Sequence, residues 1–272
     1  MPTTYTHYRF GKEVLSCLPF PIRTSIENHR ELYDIGLHGP DILFYYKALS
    51  KNHVNQSGFR MHDEPASKFF LQARQLLEHC PDKTAGRVYL YGFVCHFALD
   101  SICHPYVEKS IQVSSICHCE LESELDRAFL LEDNLNPAKY QTCSLVQPSE
   151  KNAEVISTFF EGITSKEILG ALKGMVQDLK LLHPKSRLMK NTMRSILHIL
   201  KLPDIEGMIL RPEANLNAEK YCSILKKMYE EAIPVASSLI QRYQDVLLNG
   251  AQLPDRFDLT FGAGNHWEEL LL

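Results

Sequence analysis

The 272-residue chain lacks any long apolar run: no stretch approaches the roughly 18 consecutive apolar residues of a membrane-spanning helix. Its first residues also lack a basic region followed by an apolar run, which is the pattern of a signal peptide. We therefore expect a cytoplasmic protein without a transmembrane segment. Its length is enough for one large domain or two small ones, each with a sizeable core.

The sequence also lacks an excess of basic residues and a CxxC pair. The net charge of −4 argues against a general nucleic-acid binder, but it leaves room for a phosphate-containing substrate held by metal ions. The eight cysteines are expected to be reduced thiols, because the chain shows no export signal. Cys117 and Cys119 flank His118, so a thiolate zinc site is a minor alternative.

No convincing run alternates apolar and polar residues, and apolar residues recur instead at helical spacing. The sequence therefore predicts an all-α, multi-helical fold. We expect a helical core in residues 1–140 and additional helices in residues 141–272, packed on the same domain. The region 85–104 is apolar nearly all round, which indicates a buried helix. The helices are predicted at 66–80, 85–104, 119–132, 164–182, 186–201 and 218–248, and the last 24 residues look irregular.

Metal-capable side chains recur every four residues in the stretch HFALDSICHPYVE, which begins at His96. His96, Asp100 and His104 therefore share one face of a helix. The two histidines lie about 12 Å apart along the axis, whereas metal–nitrogen bonds are only about 2 Å long. The spacing thus predicts two neighbouring metal positions, with Asp100 between them and one carboxylate oxygen for each.

A second pair with the same spacing, His118 and Glu122, follows on the next predicted helix. With His104 these residues make three ligands, which is the pattern of a catalytic zinc site with an open position. Asp41 and His62, in turn-rich segments upstream, are the candidate partners for the first position. The alternative is a hydrogen-bonded polar patch, but burying such groups together without metal is costly.

In this order, the motifs THYRFG, HGPDILFYY, GFRMH, YGFVCHFALDSICHPYV and HCELE in residues 1–130 resemble the bacterial zinc-dependent phospholipase C family. The resemblance implies an all-helical fold and a cluster of three zinc ions. It also implies hydrolysis of the bond between glyceryl and phosphate in phospholipids.

The resemblance implies three ion positions, two of which share Asp100. One position would be held by Asp41, His62, His96 and Asp100. A second would be held by His104, His118 and Glu122. The third would be held by Asp100 and His7.

The chain departs from the secreted enzymes of that family in three respects. Those enzymes complete the third position with an N-terminal tryptophan, whereas this chain begins Met-Pro and its only tryptophan is Trp267. His38 is a candidate substitute. The spacing from Asp100 to His104 is four residues, where the secreted toxins have six, and the region from about 150 onward does not resemble their β-sandwich. The chain therefore resembles an intracellular subgroup with two or three zinc ions.

The sequence thus predicts a metal-dependent hydrolase of a phospholipid or a small phosphate ester, with Asp41 as a ligand or a base that orients water. One alternative is an HD-type phosphohydrolase, because His62 and Asp63 form an HD doublet. That reading leaves His104, His118 and Glu122 without a role. The other alternative is a non-catalytic, metal-binding helical protein. The oligomeric state has no signal in the sequence.

Overall fold

The computed structural model describes residues 4–184, 186–211, 213–265 and 267–270, and these residues form helices and connections without a β-strand. The predicted all-α fold is confirmed. The α-helices of the described residues are α1 (Thr4–Ser16), α2 (Phe20–Asn28), α3 (Arg30–Gly36), α4 (His53–Asp63), α5 (Ala66–Leu76), α6 (Lys83–Val113), α7 (His118–Glu132), α8 (Glu150–Ser157), α9 (Ser165–Leu182), α10 (Arg187–Ile199), α11 (Pro203–Gly207) and α12 (Glu219–Asn249). Short 3₁₀ segments lie at Gly39–Tyr45, Leu77–His79, Thr142–Leu145, Asp255–Asp258 and Trp267–Glu269.

Helix α6 runs through the centre of the molecule, because almost every residue from Ala85 to Val107 is apolar or small and is buried. Asp82 begins the helix by accepting hydrogen bonds from the backbone N–H groups of Thr84 and Ala85. The helix continues past Pro105 to Val113, beyond the predicted end at residue 104. Among the described residues, no helix is both long and apolar enough to cross a bilayer.

Helices α3 and α12 pack along α6 and cover much of its surface. Helix α3 approaches so closely that a Cβ atom on Gly92 would collide with the Tyr33 carbonyl. On the α12 side, the Tyr243 hydroxyl donates to the Phe70 carbonyl at 2.8 Å. Close packing on both sides fixes α6, which carries the residues of the candidate site.

The other predicted helices are present, with ends that shift by a few residues. Helix α9 begins with a capping box, in which Thr164 accepts from the Glu167 N–H and Glu167 accepts from the Thr164 N–H. In the predicted helix 66–80, the α-helix ends at Leu76. A 3₁₀ turn, Leu77–His79, follows it. Helix α12 is continuous from Glu219 to Asn249 and contains Pro234.

The C-terminal segment, which we define as residues 250–265 and 267–270, is irregular as predicted but is folded back onto the core. The Leu259 carbonyl accepts from the Ala66 N–H at 2.9 Å, and Gly262 donates to the His62 carbonyl at 3.0 Å. The side chains of Phe257 and Phe261 are buried. This segment thereby reaches the face of α6 that carries His96 and His104.

Candidate metal centre

Side chains from five elements converge on the buried face of α6. In three sets, the potential ligand atoms all lie within 4.8 Å of one another. The sets are His7, His96 and Asp100; Asp41, His62 and His96; and His104, His118 and Glu122. All eight residues that the sequence singles out as ligands are therefore brought together.

Asp100 lies at the centre of this arrangement and uses its two oxygens differently. Its Oδ1 lies 3.3 Å from His7 Nε2, whereas its Oδ2 lies 3.1 Å from His96 Nε2 and 3.6 Å from His104 Nδ1. Ligand atoms about 2.0–2.1 Å from a tetrahedral zinc ion are about 3.3–3.4 Å apart. The distances of Asp100 from His7 Nε2 and His96 Nε2 therefore fit shared zinc coordination.

Asp41 and His62 face α6 from upstream elements. Asp41 lies in the 3₁₀ segment Gly39–Tyr45 and is buried, and its Oδ1 lies 3.0 Å from Nε2 of His62 on α4. His96 completes this set. The geometry places Asp41 inside the cluster, where it can act as a ligand and orient its neighbours.

The third set lies toward the C-terminal end of α6 and at the start of α7. Glu122 Oε1 is 3.0 Å from His118 Nε2 and 3.6 Å from His104 Nε2. Two of these residues are buried, whereas the His118 side chain keeps 21% of its surface exposed. This set is thus the one that opens toward solvent.

Four of the histidines have a common orientation, because the Nδ1 of each contacts an oxygen outside the donor sets. The contacts are His62 with Gly58 O at 2.8 Å, His96 with Leu37 O at 3.3 Å, His104 with Phe261 O at 2.7 Å and His118 with Glu108 Oε1 at 2.9 Å. An Nδ1–H that donates to such an oxygen leaves the Nε2 lone pair for a metal ion. The surroundings thus select the tautomer that zinc requires.

The electrostatics of the cluster show strong mutual stabilisation of unlike charges. Burial favours the neutral forms, yet the imidazoles of His104, His96 and His7 hold the pKa of Asp100 well below its usual range. Against the same burial effect, His118 and His104 lower the pKa of Glu122 to about 2. The cluster therefore keeps its carboxylates ionised at neutral pH, as metal binding requires.

Several buried polar atoms in the cluster make no hydrogen bond. They include His96 Nε2, Asp100 Oδ2 and Glu122 Oε2. Leaving such atoms without a partner costs free energy, and most native structures avoid it. Buried nitrogen and oxygen atoms that make no hydrogen bond can donate electron pairs to a cation, so the donor sets fit zinc.

Two features outside the donor sets hold the cluster in place. Asp126 on α7 accepts from the N–H groups of Tyr5 and Thr6 and from the Thr6 hydroxyl, which anchors the start of α1 and so places His7. Gly39 has a φ of +48°, and a Cβ atom on it would collide with the His96 ring. No sequence pattern marks the role of Asp126, whereas Gly39 before Pro40 is a turn signal without any indication of the contact with His96.

Three residues of the cluster, His62, His104 and His118, line a cleft of about 500 Å³. Its lining combines cluster residues with the C-terminal segment: His62, Asp63, His104, Glu108, His118, Thr260, Gly262, Ala263, Gly264, Asn265 and Trp267. A smaller cavity of about 30 Å³ lies beside Asp100, His104 and Glu122. Glu108 continues the four-residue spacing from His96 and could have been identified from the sequence, whereas the C-terminal wall could not.

The other candidate ligands lie outside the donor sets of the described residues. Burial raises the pKa of Cys119 to about 12, which disfavours the thiolate, and the Cys117 thiol donates to the Pro203 carbonyl. Asp63, the second residue of the HD doublet, lines the cleft without joining a set. His38 is buried nearby but belongs to none of the three. The secreted enzymes of the family complete the third ion position with an N-terminal tryptophan. The first three residues of this chain lie outside the described residues.

A comparison with protein-family models finds a match to the zinc dependent phospholipase C model over residues 6–170. The match includes all eight proposed ligands and extends beyond the motifs in residues 1–130. Searches of curated proteins and of solved structures returned no match. Because the matched region exceeds half of the 272 residues, the chain belongs to the zinc-dependent phospholipase C family.

Proposed function

We propose that this protein is a zinc-dependent hydrolase that cleaves a phospholipid head-group phosphodiester in the manner of a phospholipase C. The observation that carries the proposal is the convergence of three neighbouring donor sets beside a cleft that His62, His104 and His118 line. Membership of the family supports the reaction class. A polar patch with a structural role alone would not need a cleft leading to its least buried donor set.

The first ion position would use Asp41, His62, His96 and Asp100. The second would use His104, His118 and Glu122. The third would use His7 and Asp100. Zinc bound there would lower the pKa of a water molecule and stabilise negative charge on the phosphoryl oxygens.

The residues around the cluster would orient these groups. Glu108 holds the proton of His118 at Nδ1, and the Phe261 carbonyl does the same for His104. Asp41 is assigned as a ligand that also helps to orient the attacking water. The cleft above them would admit the phosphate ester, with the C-terminal segment as one wall.

Substitution of Glu122 by Gln tests the proposal. Loss of a charged ligand should reduce hydrolysis of a soluble phosphocholine ester by about 100-fold or more, since the ligand charge and the position of the ion both change. The matched control is Glu124→Gln on the same helix, whose buried carboxylate pairs with Arg127 at 2.9 Å. Glu124→Gln should retain hydrolysis. Equal activity in the two variants, or no hydrolysis by the zinc-loaded wild type, would contradict the proposal.

A further inference from the structure

Phe261 in the C-terminal segment contacts histidines that together belong to all three donor sets. Its carbonyl lies 2.7 Å from Nδ1 of His104. The centroid of its ring lies 6.2 Å from that of the His62 ring and 6.0 Å from that of the His96 ring. His62 and His96 share one donor set, His96 belongs to a second, and His104 belongs to the third. One residue therefore borders the whole cluster, although the family match ends at residue 170.

The C-terminal segment is attached to the core at few points. In its described part, only the side chains of Phe257 and Phe261 are buried. Its last residues are attached through a polar contact, in which Lys109 Nζ donates to the Glu268 carbonyl at 2.7 Å. A stretch with few buried apolar contacts opens locally at a lower free energy than a packed helix does. Docking of this segment can therefore respond to events in the cluster that it borders.

The two buried phenylalanines of the segment have different neighbours. The ring centroid of Phe257 lies 4.5 Å from that of Phe70, 5.1 Å from that of Phe97 and 5.8 Å from that of Tyr243. Within the described residues, no histidine is among the ring contacts of Phe257. Phe257 thus attaches the segment to the apolar core, whereas Phe261 also attaches it to the cluster.

The residue after Phe261 contacts the cluster through its backbone. The Gly262 N–H donates to the His62 carbonyl at 3.0 Å. His62 lies on α4 and His104 lies on α6, so two consecutive residues link the segment to ligands on separate helices. Displacement of this stretch would remove the carbonyl that orients His104 and release the end of α4 that carries His62. The orientation of these ligands therefore depends on whether the segment is docked.

We propose that Phe261 is a positioning residue of the metal centre, and that zinc binding and docking of the C-terminal segment strengthen each other. Docking orients the histidines that Phe261 contacts and thereby raises their affinity for zinc. By thermodynamic linkage, bound zinc favours the docked segment to the same extent. Because the segment is one wall of the cleft, zinc loading also completes the cleft. The inference rests on the zinc centre of the proposed function but not on hydrolysis.

The first test measures amide hydrogen exchange of the full-length wild type with and without zinc. Residues 259–265 should exchange about tenfold or more faster in the metal-free protein, because the segment then opens more often. Helix α8, which supplies no residue to the donor sets, is the internal reference and should change far less. Equal exchange of residues 259–265 in both states, or an equal change in α8, would overturn the proposal, since zinc would then have no specific effect on the segment.

The second test compares Phe261→Leu with Phe257→Leu in competition with a chelator for zinc. Both variants lose a fully buried ring from the same segment, so the loss of packing is matched. Phe261→Leu should weaken zinc binding about tenfold or more, as changes in the partners of metal ligands do. Phe257→Leu keeps the contacts with the histidines and should weaken it much less. Equal zinc affinities in the two variants would overturn the positioning role. Zinc-dependent exchange without any ester hydrolysis by the wild type would instead contradict only the proposed function.

Discussion

At the scale of single residues, the candidate site depends on groups that hold the histidines as well as on the histidines themselves. The Nδ1 contacts of His62, His96 and His104 are all made to backbone carbonyls. Every residue type has a backbone carbonyl, so the residue type alone does not mark such a partner. The sequence could therefore indicate the ligands from residue type and spacing, but it could not indicate what selects their tautomers.

Gly39 illustrates a residue whose role follows only from the structure. We expect Gly39→Ala to lower the zinc content and to destabilise the protein by about 1–3 kcal/mol, because the new methyl group would displace the His96 ring and the backbone is left-handed there. Elemental analysis and urea unfolding measure the two effects.

Gly162 provides the control for that substitution. It also has a positive φ, +76°, but its Cβ position has no heavy atom within 4 Å. Gly162→Ala should therefore show the backbone strain without loss of zinc. Equal zinc contents in Gly39→Ala and wild type would show that the contact with His96 has no role in the site.

At the scale of elements, the sequence predicted helices well because burial follows their periodicity. The apolar pattern of residues 85–104 identified the central helix α6, and the predicted helix 164–182 lies within one residue of α9. The sequence did not indicate which distant segments contact each other. Asp126 anchors the start of α1 from more than a hundred residues away, and no local pattern marks that pairing.

The end of α9 should give the protein a measurable sensitivity to acid. Burial lowers the pKa of His183 to about 4, and the positive charge of Lys190 adds to this effect. In the unfolded chain the pKa of histidine is about 6.5. The neutral imidazole is thus compatible with folding above pH 6.5, and stability is lost as the pH falls toward 4.

We therefore expect His183→Asn to reduce the acid sensitivity. Between pH 7 and pH 5 the free energy of unfolding of the wild type should fall by about 2 kcal/mol more than that of the variant. Urea unfolding at the two pH values measures the difference, and histidines elsewhere in the chain cancel in the comparison. The same pH dependence in both proteins would contradict this account of His183.

At the scale of the whole molecule, the candidate site draws on more of the chain than the family match covers. The match ends at residue 170, yet the C-terminal segment supplies the carbonyl that contacts His104 and one wall of the cleft. The sequence showed this segment only as irregular, since its contacts are long-range. The division into residues 1–140 and 141–272 and the cytoplasmic location stay predictions.

Trp267 allows the role of the C-terminal segment to be measured. It is the only tryptophan of the chain and it lines the cleft. Phosphocholine added to the zinc-loaded protein should therefore change the tryptophan emission, with a midpoint that matches its inhibition of ester hydrolysis. Inhibition without any change in emission would show that the ligand binds away from this wall.

The central claim is that this cluster of histidines and carboxylates holds zinc. Its most direct test is elemental analysis of the protein purified without added metal, with Asp100→Asn beside the wild type. Because the cluster offers three donor sets and Asp100 lies between two of the histidines in them, the wild type should contain about two to three zinc ions per chain and the variant clearly fewer. A wild type with less than about one zinc ion per chain, or a variant with the same content, would contradict the account.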